Sequence, residues 1–396
     1  MIPGDIGAEI AALIEAGAAG GELPAQVANL QASGTWRPAP ADARGGPGTY
    51  ATSLPLALAG LVGRTASEVA ALLASGLADL PWISAARVTG GGYLTVSVTA
   101  SHLAGLAARM VAAGQSAAES DALAGTQLAA PSLTDPIAAG SWAQAWRQQR
   151  DALSGRLARS AGAEIVFFDS QRIRSTASTI QGAPGSVPAA GTRAVRSRAA
   201  MAGRRDQVQA AVAYHGADAV RYALARTSAP KADLIGRQLA LPLDLANPFV
   251  LVRYAHADAA STLRWAASLT PVQDRGAGLE PPTDMPGSRR PAQACTAHEL
   301  LPPELALLDV MSWLPERVAA AARRRRPAEL AAYLEHLAVT WLDCSEACPA
   351  LPFRGAAAPR DPAGTQAAAR LGLADAARVA LACGLGLLGV SAPDRL

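Results

Sequence analysis

A multi-domain α+β chain with a mainly helical carboxy-terminal half is the fold class this sequence predicts. Three observations predict it. Val88 precedes the turn Gly90-Gly91-Gly92, and Leu94, Val96 and Val98 then alternate with Thr95 and Ser97, the period of two of a hairpin. An apolar run from Gln127 to Leu133, an amphipathic stretch over 142–160 and the run Glu164–Phe168 form one strand–helix–strand unit. From residue 206 on, apolar residues recur at helical spacing, most clearly at Leu330, Tyr333, Leu334, Leu337, Ala338, Trp341 and Leu342. These patterns divide the chain into an α+β unit over 1–115, a Rossmann-like α/β segment over 116–205 and a helical bundle over 206–396.

Each element follows from local signals. Leu54 to Val62, then Val69, Leu72, Leu73 and Leu77, predict two helices broken at Gly63, and helical spacing resumes over 101–114. The first 50 residues are rich in Ala, Gly and Pro and carry no clear element boundary. Trp142, Trp146, Leu153 and Leu157 share one side of the helix over 142–160, which Gly162 ends. Glu164–Phe168 reads as a buried strand. Residues 169–205, rich in Ser, Gly, Pro and Arg, read as a long loop. In the bundle, 216–226, 247–266, Glu304 to Arg326, the stripe at 330–342 and 366–388 are predicted helices, with a Pro-rich connector over about 270–303.

Composition bounds the function. At roughly 150 residues per domain, 396 residues predict two to three domains, and 50% hydrophobic residues are ample for real cores. Lys231 is the one lysine among 35 basic residues. Residues 1–110 carry five arginines against seven acids, 111–245 fifteen basic against ten acidic, and 246–396 fifteen of each. Eleven arginines against three acids fall within 141–205, a block suited to a polyanion partner or to a solvated loop. Cys295, Cys344, Cys348 and Cys383 form no disulfide framework and match no zinc spacing. The start lacks the regions of a signal peptide, and the apolar stretch near 371–390 is interrupted by Asp375 and Arg378. A cytoplasmic protein with neither a membrane nor a DNA partner is expected.

Catalytic motifs are missing. There is no G-x-x-x-x-G-K-[ST], no G-x-G-x-x-G after a strand and no H-E-x-x-H. His102, His215, His256, His298 and His336 are scattered, which suits packing or surface placement. Gly90–Gly92 reads as a hairpin turn rather than a phosphate cradle. Arg323, Arg324, Arg325 and Arg326 close a helix, where positive charge is favourable, and are also suited to RNA phosphate.

Gly216-Ala217-Asp218-Ala219-Val220-Arg221-Tyr222 looks like the segment that follows the catalytic core of arginyl-tRNA synthetases, a family the chain resembles. Asn247-Pro248 with Val252-Arg253-Tyr254-Ala255-His256-Ala257 looks like its NP…QYAHAR stretch, with Arg253 in place of Gln and Asp258 in place of Arg. Residues 330–342 match the central helix of the DALR anticodon-binding domain, and the tail from Gly384 ends in Leu396 where Met is usual. At the front, Gly92-Tyr93-Leu94-Thr95 resembles the GFIN motif of the amino-terminal domain, which in the family touches the tRNA elbow.

The resemblance weakens in the middle. Where the family has P-T-G-P-L-H-V-G-H, this chain reads Thr134-Asp135-Pro136-Ile137-Ala138-Ala139-Gly140-Ser141. Pro136 and Gly140 are retained, but Ala138 and Ser141 stand at the two His positions. Loss of one preorganised donor typically costs about 10²–10³ in rate. At the second signature, Ala194-Val195-Arg196-Ser197-Arg198 replaces a K-M-S-x-R-like loop. The segment 116–205 is also short, because a doubly wound domain needs on the order of 150 residues. In place of F-Y-N-D-C the chain has Cys344-Ser345-Glu346-Ala347-Cys348, so Ser345 sits where an aromatic would stack on a base, a contact worth about 1–3 kcal/mol.

The resemblance therefore implies a catalytically defective paralogue with a truncated catalytic remnant, no cofactor and no metal. It would bind tRNA or a structured, tRNA-like RNA. Charge clustering alone selects Arg147, Arg150, Arg196, Arg198 and Arg323–Arg326 as the expected RNA contacts, and the resemblance gives Asn247, Tyr254, His256, Ser345 and Leu396 as the family-motif positions of the helical half. The alternatives are an active arginine–tRNA ligase using ATP and Mg²⁺, and a scaffold that binds a protein such as a genuine synthetase.

Overall fold

The computed structural model describes residues 1–20, 24, 36–39, 45–131, 135–168, 207–269, 300–351 and 365–396. The chain opens with helix α1 (Ile2–Ala19), whose Ile2, Ile6, Ile10 and Ile14 are all buried. Spacing of four places them on one face. Strands β1 (Trp36–Pro38), β2 (Thr49–Thr52), β3 (Ile83–Thr89) and β4 (Tyr93–Val98) form an antiparallel sheet in the order β1-β2-β4-β3. Composition concealed α1 and the first two strands.

The expected helix pair is present as α2 (Leu54–Val62) and α3 (Ala66–Ala78). Gly63 separates them at φ +68°, and Thr65 with Glu68 forms a reciprocal cap at the start of α3. The Gly90–Gly92 segment is the β3–β4 turn. Gly92 has φ +109°, and a Cβ there would lie 2.5 Å from Ala66, so the turn needs glycine to reach α3. Helix α4 (Ala100–Ala113) then packs across to the helical half.

Strand β5 (Gln127–Pro131), helix α5 (Trp142–Ser160) and strand β6 (Glu164–Phe168) make the expected unit, with the two strands parallel. β6 is less buried than its composition suggested, with Val166 47% exposed. Among the described residues its sheet has only two strands, and α5 covers one side. The loop expected over 169–205 lies entirely outside the described residues, as does most of the connector.

The helical half comprises α6 (Gln207–His215), α7 (Ala217–Arg226), α8 (Ala232–Leu239), α9 (Pro248–Leu269), α10 (Pro302–Ser312), α11 (Leu314–Arg324), α12 (Pro327–Ala347) and α13 (Thr365–Leu388). One helix was expected from Glu304 to Arg326, and two are found. Pro315 removes a backbone N–H and opens α11, so the chain breaks at Trp313. Pro302 and Pro303 belong to α10 rather than to the connector. The stripe on α12 is core as expected, with Leu330, Leu334, Leu337 and Ala338 fully buried.

One apolar core joins the two ends of the chain, running from Ile2 to Val390. The Gly48 N–H donates to Asp309 Oδ1 at 2.8 Å. The Tyr50 hydroxyl donates to Ser312 Oγ at 2.9 Å, and that hydroxyl donates on to the Asp309 carbonyl. Burial raises the Asp309 carboxyl above its usual range, with the Gly48 bond opposing the shift. Helix α13 is long and apolar enough to cross a membrane by length and composition, yet most of it is buried against α4, α9 and α12. Its buried face is rich in small residues, including Ala374, Ala376, Ala377 and Ala380.

Gly384 shows how tight this contact is. A Cβ there would lie 2.2 Å from Leu334 Cδ2 and 2.9 Å from Cδ1. We expect Gly384→Ala to lower stability by about 1–3 kcal/mol, because overpacking outweighs the roughly 1 kcal/mol gain in helix propensity. An unchanged or raised thermal midpoint would contradict this packing.

Candidate nucleic-acid interface

The loop at the first signature position is built into the fold by its own side chains. Asp135 accepts the Ile137 N–H at 3.3 Å and faces the Arg221 guanidinium at 3.5 Å. Arg221 also lies 3.7 Å from Asp218, which accepts hydrogen bonds from the Ser391 N–H and hydroxyl. Gln209 donates to the Ile137 carbonyl. Pro136 and Ala139 are buried, and Ala139 joins a small apolar cluster with Trp146, Val208, Val220 and Leu224. Ala138 is exposed on a single 3-10 turn, and Gly140 leads into Ser141. Ser141 is the N-cap of α5, its hydroxyl accepting the Gln144 N–H at 3.3 Å. Neither position presents an imidazole-like donor.

The expected arginines divide into two groups. Arg323 lies 3.9 Å from Glu316, Arg324 3.0 Å from Glu329 and Arg326 3.7 Å from Glu329, so these three have internal carboxylate partners. Arg147, Arg150 and Arg325 instead line a cleft of about 360 Å³ between α5 and the end of α11. Arg150 lies over the Trp146 ring, 5.1 Å from its centroid, and donates from Nε to the Arg325 carbonyl at 3.2 Å. Trp146 is fixed in turn by its own Nε1 bond to the Thr227 carbonyl at 2.8 Å. Asp151 also lines the cleft. Desolvation raises its carboxyl, and the three guanidiniums pull it back. Sequence reasoning missed Trp146 as the floor of this cleft and Asp151 as its acid. Arg196 and Arg198 lie outside the described residues.

The family-motif positions take different places in the helical half. Asn247 is 6% exposed, and its Oδ1 accepts the Phe249 N–H at the start of α9. Arg253 packs over the Phe249 ring, while Tyr254 and Leu396 are exposed. His256 is buried and contacts the Pro393 carbonyl at 2.9 Å through Nδ1, tying the tail to α9. Asp258 accepts the Trp341 Nε1–H at 3.1 Å. The Ser345 hydroxyl donates to the Leu342 carbonyl and borders a groove of about 210 Å³ with Asp258, Trp341 and Arg370. Beneath that groove Arg370 pairs with the fully buried Glu304 at 2.9 Å, and Glu304 also accepts the Leu301 N–H. Among the described residues no three His, Cys, Asp or Glu side chains form a metal-binding group.

Comparison with known proteins agrees with this architecture. Residues 252–396 match the DALR anticodon binding domain. A stretch of 187 residues is 40% identical to the arginine–tRNA ligase of Frankia alni, covering 46% of this chain and 29% of that protein. The ligase of Clavibacter sepedonicus is 36% identical over 191 residues, again 46% of this chain and 28% of the relative. The match therefore spans less than a third of the relatives' length. The fold resembles that of Thermus thermophilus arginyl-tRNA synthetase, with TM-score 0.59 and 14% identity over the whole of both chains. The chain is arginyl-tRNA synthetase-like, with a DALR domain at its carboxy-terminal end.

The His256 contact carries a pH dependence. Burial holds the imidazole below its usual range, against the opposing pull of the Pro393 carbonyl and Asp394. A lowered folded-state pKa stabilises the fold above the unfolded value of about 6.5. That contribution is lost as pH falls through the folded-state value. We expect thermal midpoints to drop between about pH 7.5 and pH 5, with a smaller drop in His256→Gln. Equal drops in both proteins would count against this assignment.

Proposed function

We propose that this protein is a catalytically defective relative of arginyl-tRNA synthetases that binds tRNA, or an RNA of tRNA-like shape, in the cytoplasm. The observation that carries the reading is the loop over 135–141. Its polar groups cap the 3-10 turn and α5, and its apolar groups pack on α6 and α7. An adenylating site needs donors aimed at the charge that develops on phosphorus. The Ala138 side chain offers none, its backbone N–H is spent on the Asp135 carbonyl, and the Ser141 hydroxyl accepts a backbone hydrogen bond at a helix start. Among the described residues the sheet around α5 has two strands, which offer little further framework to hold reacting groups in register.

RNA binding is supported by the DALR match and by the unpaired guanidiniums on the surface. Recognition would rest on shape and phosphate contacts rather than on a base stacked at position 345. A second reading is favoured by that same residue. Ser345 bonds to its own helix, and residues 246–396 carry no net charge, as suits a scaffold that docks a protein partner.

Pyrophosphate exchange with arginine and ATP tests the catalytic half of the proposal. We expect background rates, and background rates again in Ala138→His/Ser141→His, because the framework as well as the side chains has changed. Exchange above background in the unmodified protein would establish a ligase. Filter binding of bulk tRNA across a salt series tests the other half. A steep fall in affinity with salt is expected, and no binding at low salt would favour the scaffold.

A further inference from the structure

We propose that the cleft between α5 and the end of α11 is a phosphate clamp for an RNA backbone, formed by Arg147, Arg150 and Arg325. The proposal rests on the RNA-binding reading and narrows it to three side chains. Arg150 and Arg325 are 175 positions apart in sequence and are joined by a hydrogen bond. The cleft is a tertiary feature built from two segments, not a run of charge along one helix.

Three features distinguish it from ordinary surface arginines. First, among the described residues no carboxylate lies within ion-pair distance of Arg147, Arg150 or Arg325, whereas Arg323, Arg324 and Arg326 beside them are paired. Asp151 is the one acid lining the cleft, leaving three guanidiniums against one carboxylate. Second, Arg150 is held in place. Trp146 lies beneath it, and its Nε is fixed on the Arg325 carbonyl, so its outer N–H groups face a ligand with little further loss of freedom. Third, Arg325 has φ +52° and is the only non-glycine residue at positive φ among those described. The position ends α11, where glycine is the usual solution. A non-glycine residue held in a disfavoured backbone conformation beside a cleft is a pointer to function.

The chemistry selects phosphate. Guanidinium N–H groups donate to phosphate oxygens in a planar fork. Trp146 is 9% exposed and already covered by Arg150, so no base can stack there. The cleft reads charge and spacing, with no means of reading sequence.

The test is tRNA filter binding by the full chain carrying Arg147→Gln and Arg325→Gly. Glycine relieves the backbone at 325, so the thermal midpoint of Arg325→Gly should hold or rise while binding weakens. A purely structural arginine would not show that combination. The double variant should lose roughly one to two orders of magnitude in affinity at low salt, with the salt slope reduced by about 2. Arg324→Gln should change affinity far less, because Arg324 is already paired. If the unmodified protein binds with a steep salt slope and the double variant binds equally well, the clamp is wrong and the RNA reading stands. If the unmodified protein binds no tRNA, both fail. Micromolar binding of ATP that is abolished by the same substitutions would overturn the assignment to RNA in favour of a free nucleotide.

Discussion

Close approach of α13 to its neighbours is the constraint on which the other contacts depend. Alanine and glycine on its buried face bring α4, α9 and α12 within packing distance of one axis. Small residues reduce the apolar area each side chain can bury, and close packing of backbones compensates. Leu334 fills the space left at Gly384 so fully that one added methyl group collides. With that axis fixed, the buried Glu304–Arg370 pair and the Arg226–Glu335 pair find their geometry. Tyr222 and Arg226 both reach Glu335, which links α7 to α12 with the carboxylate hydrogen-bonded on both oxygens.

Where periodicity was strong, the fold was legible in the sequence. The α2–α3 break at Gly63, the β3–β4 hairpin, the parallel pair around α5 and the stripe on α12 all rest on local signals in the chain. Helix α1 had such a signal too, in four isoleucines spaced by four, but the Ala, Gly and Pro around it obscured the pattern. Two further discrepancies have different causes. Pro315 breaks a helix whose apolar spacing continues through it, so spacing outvoted a local steric rule. Val166 is apolar and exposed, because strand burial depends on what covers the sheet, which no strand sequence states.

The candidate interface was legible only as a count of charges. Sequence identifies Arg323 to Arg326 as a basic run but cannot show that Glu316 and Glu329 fold onto three of them. It likewise cannot bring Arg325 to Arg150. The reading of the signature loop concerns which atoms exist, since an alanine side chain carries no donor in any fold. What the structure adds is the use now made of the loop, with Asp135 facing Arg221 and Ser141 starting α5.

The Tyr50–Ser312–Asp309 relay has a consequence for how this architecture tolerates change. It fastens the first unit directly to the bundle, independently of whatever lies between them in sequence. The intervening segment is thereby released from acting as a spacer. Its strands can dwindle and its loops can lengthen, while the distance between the outer surfaces stays set like the gap of a locked caliper. Under the RNA-binding proposal, a partner long enough to touch both surfaces would be measured by that gap.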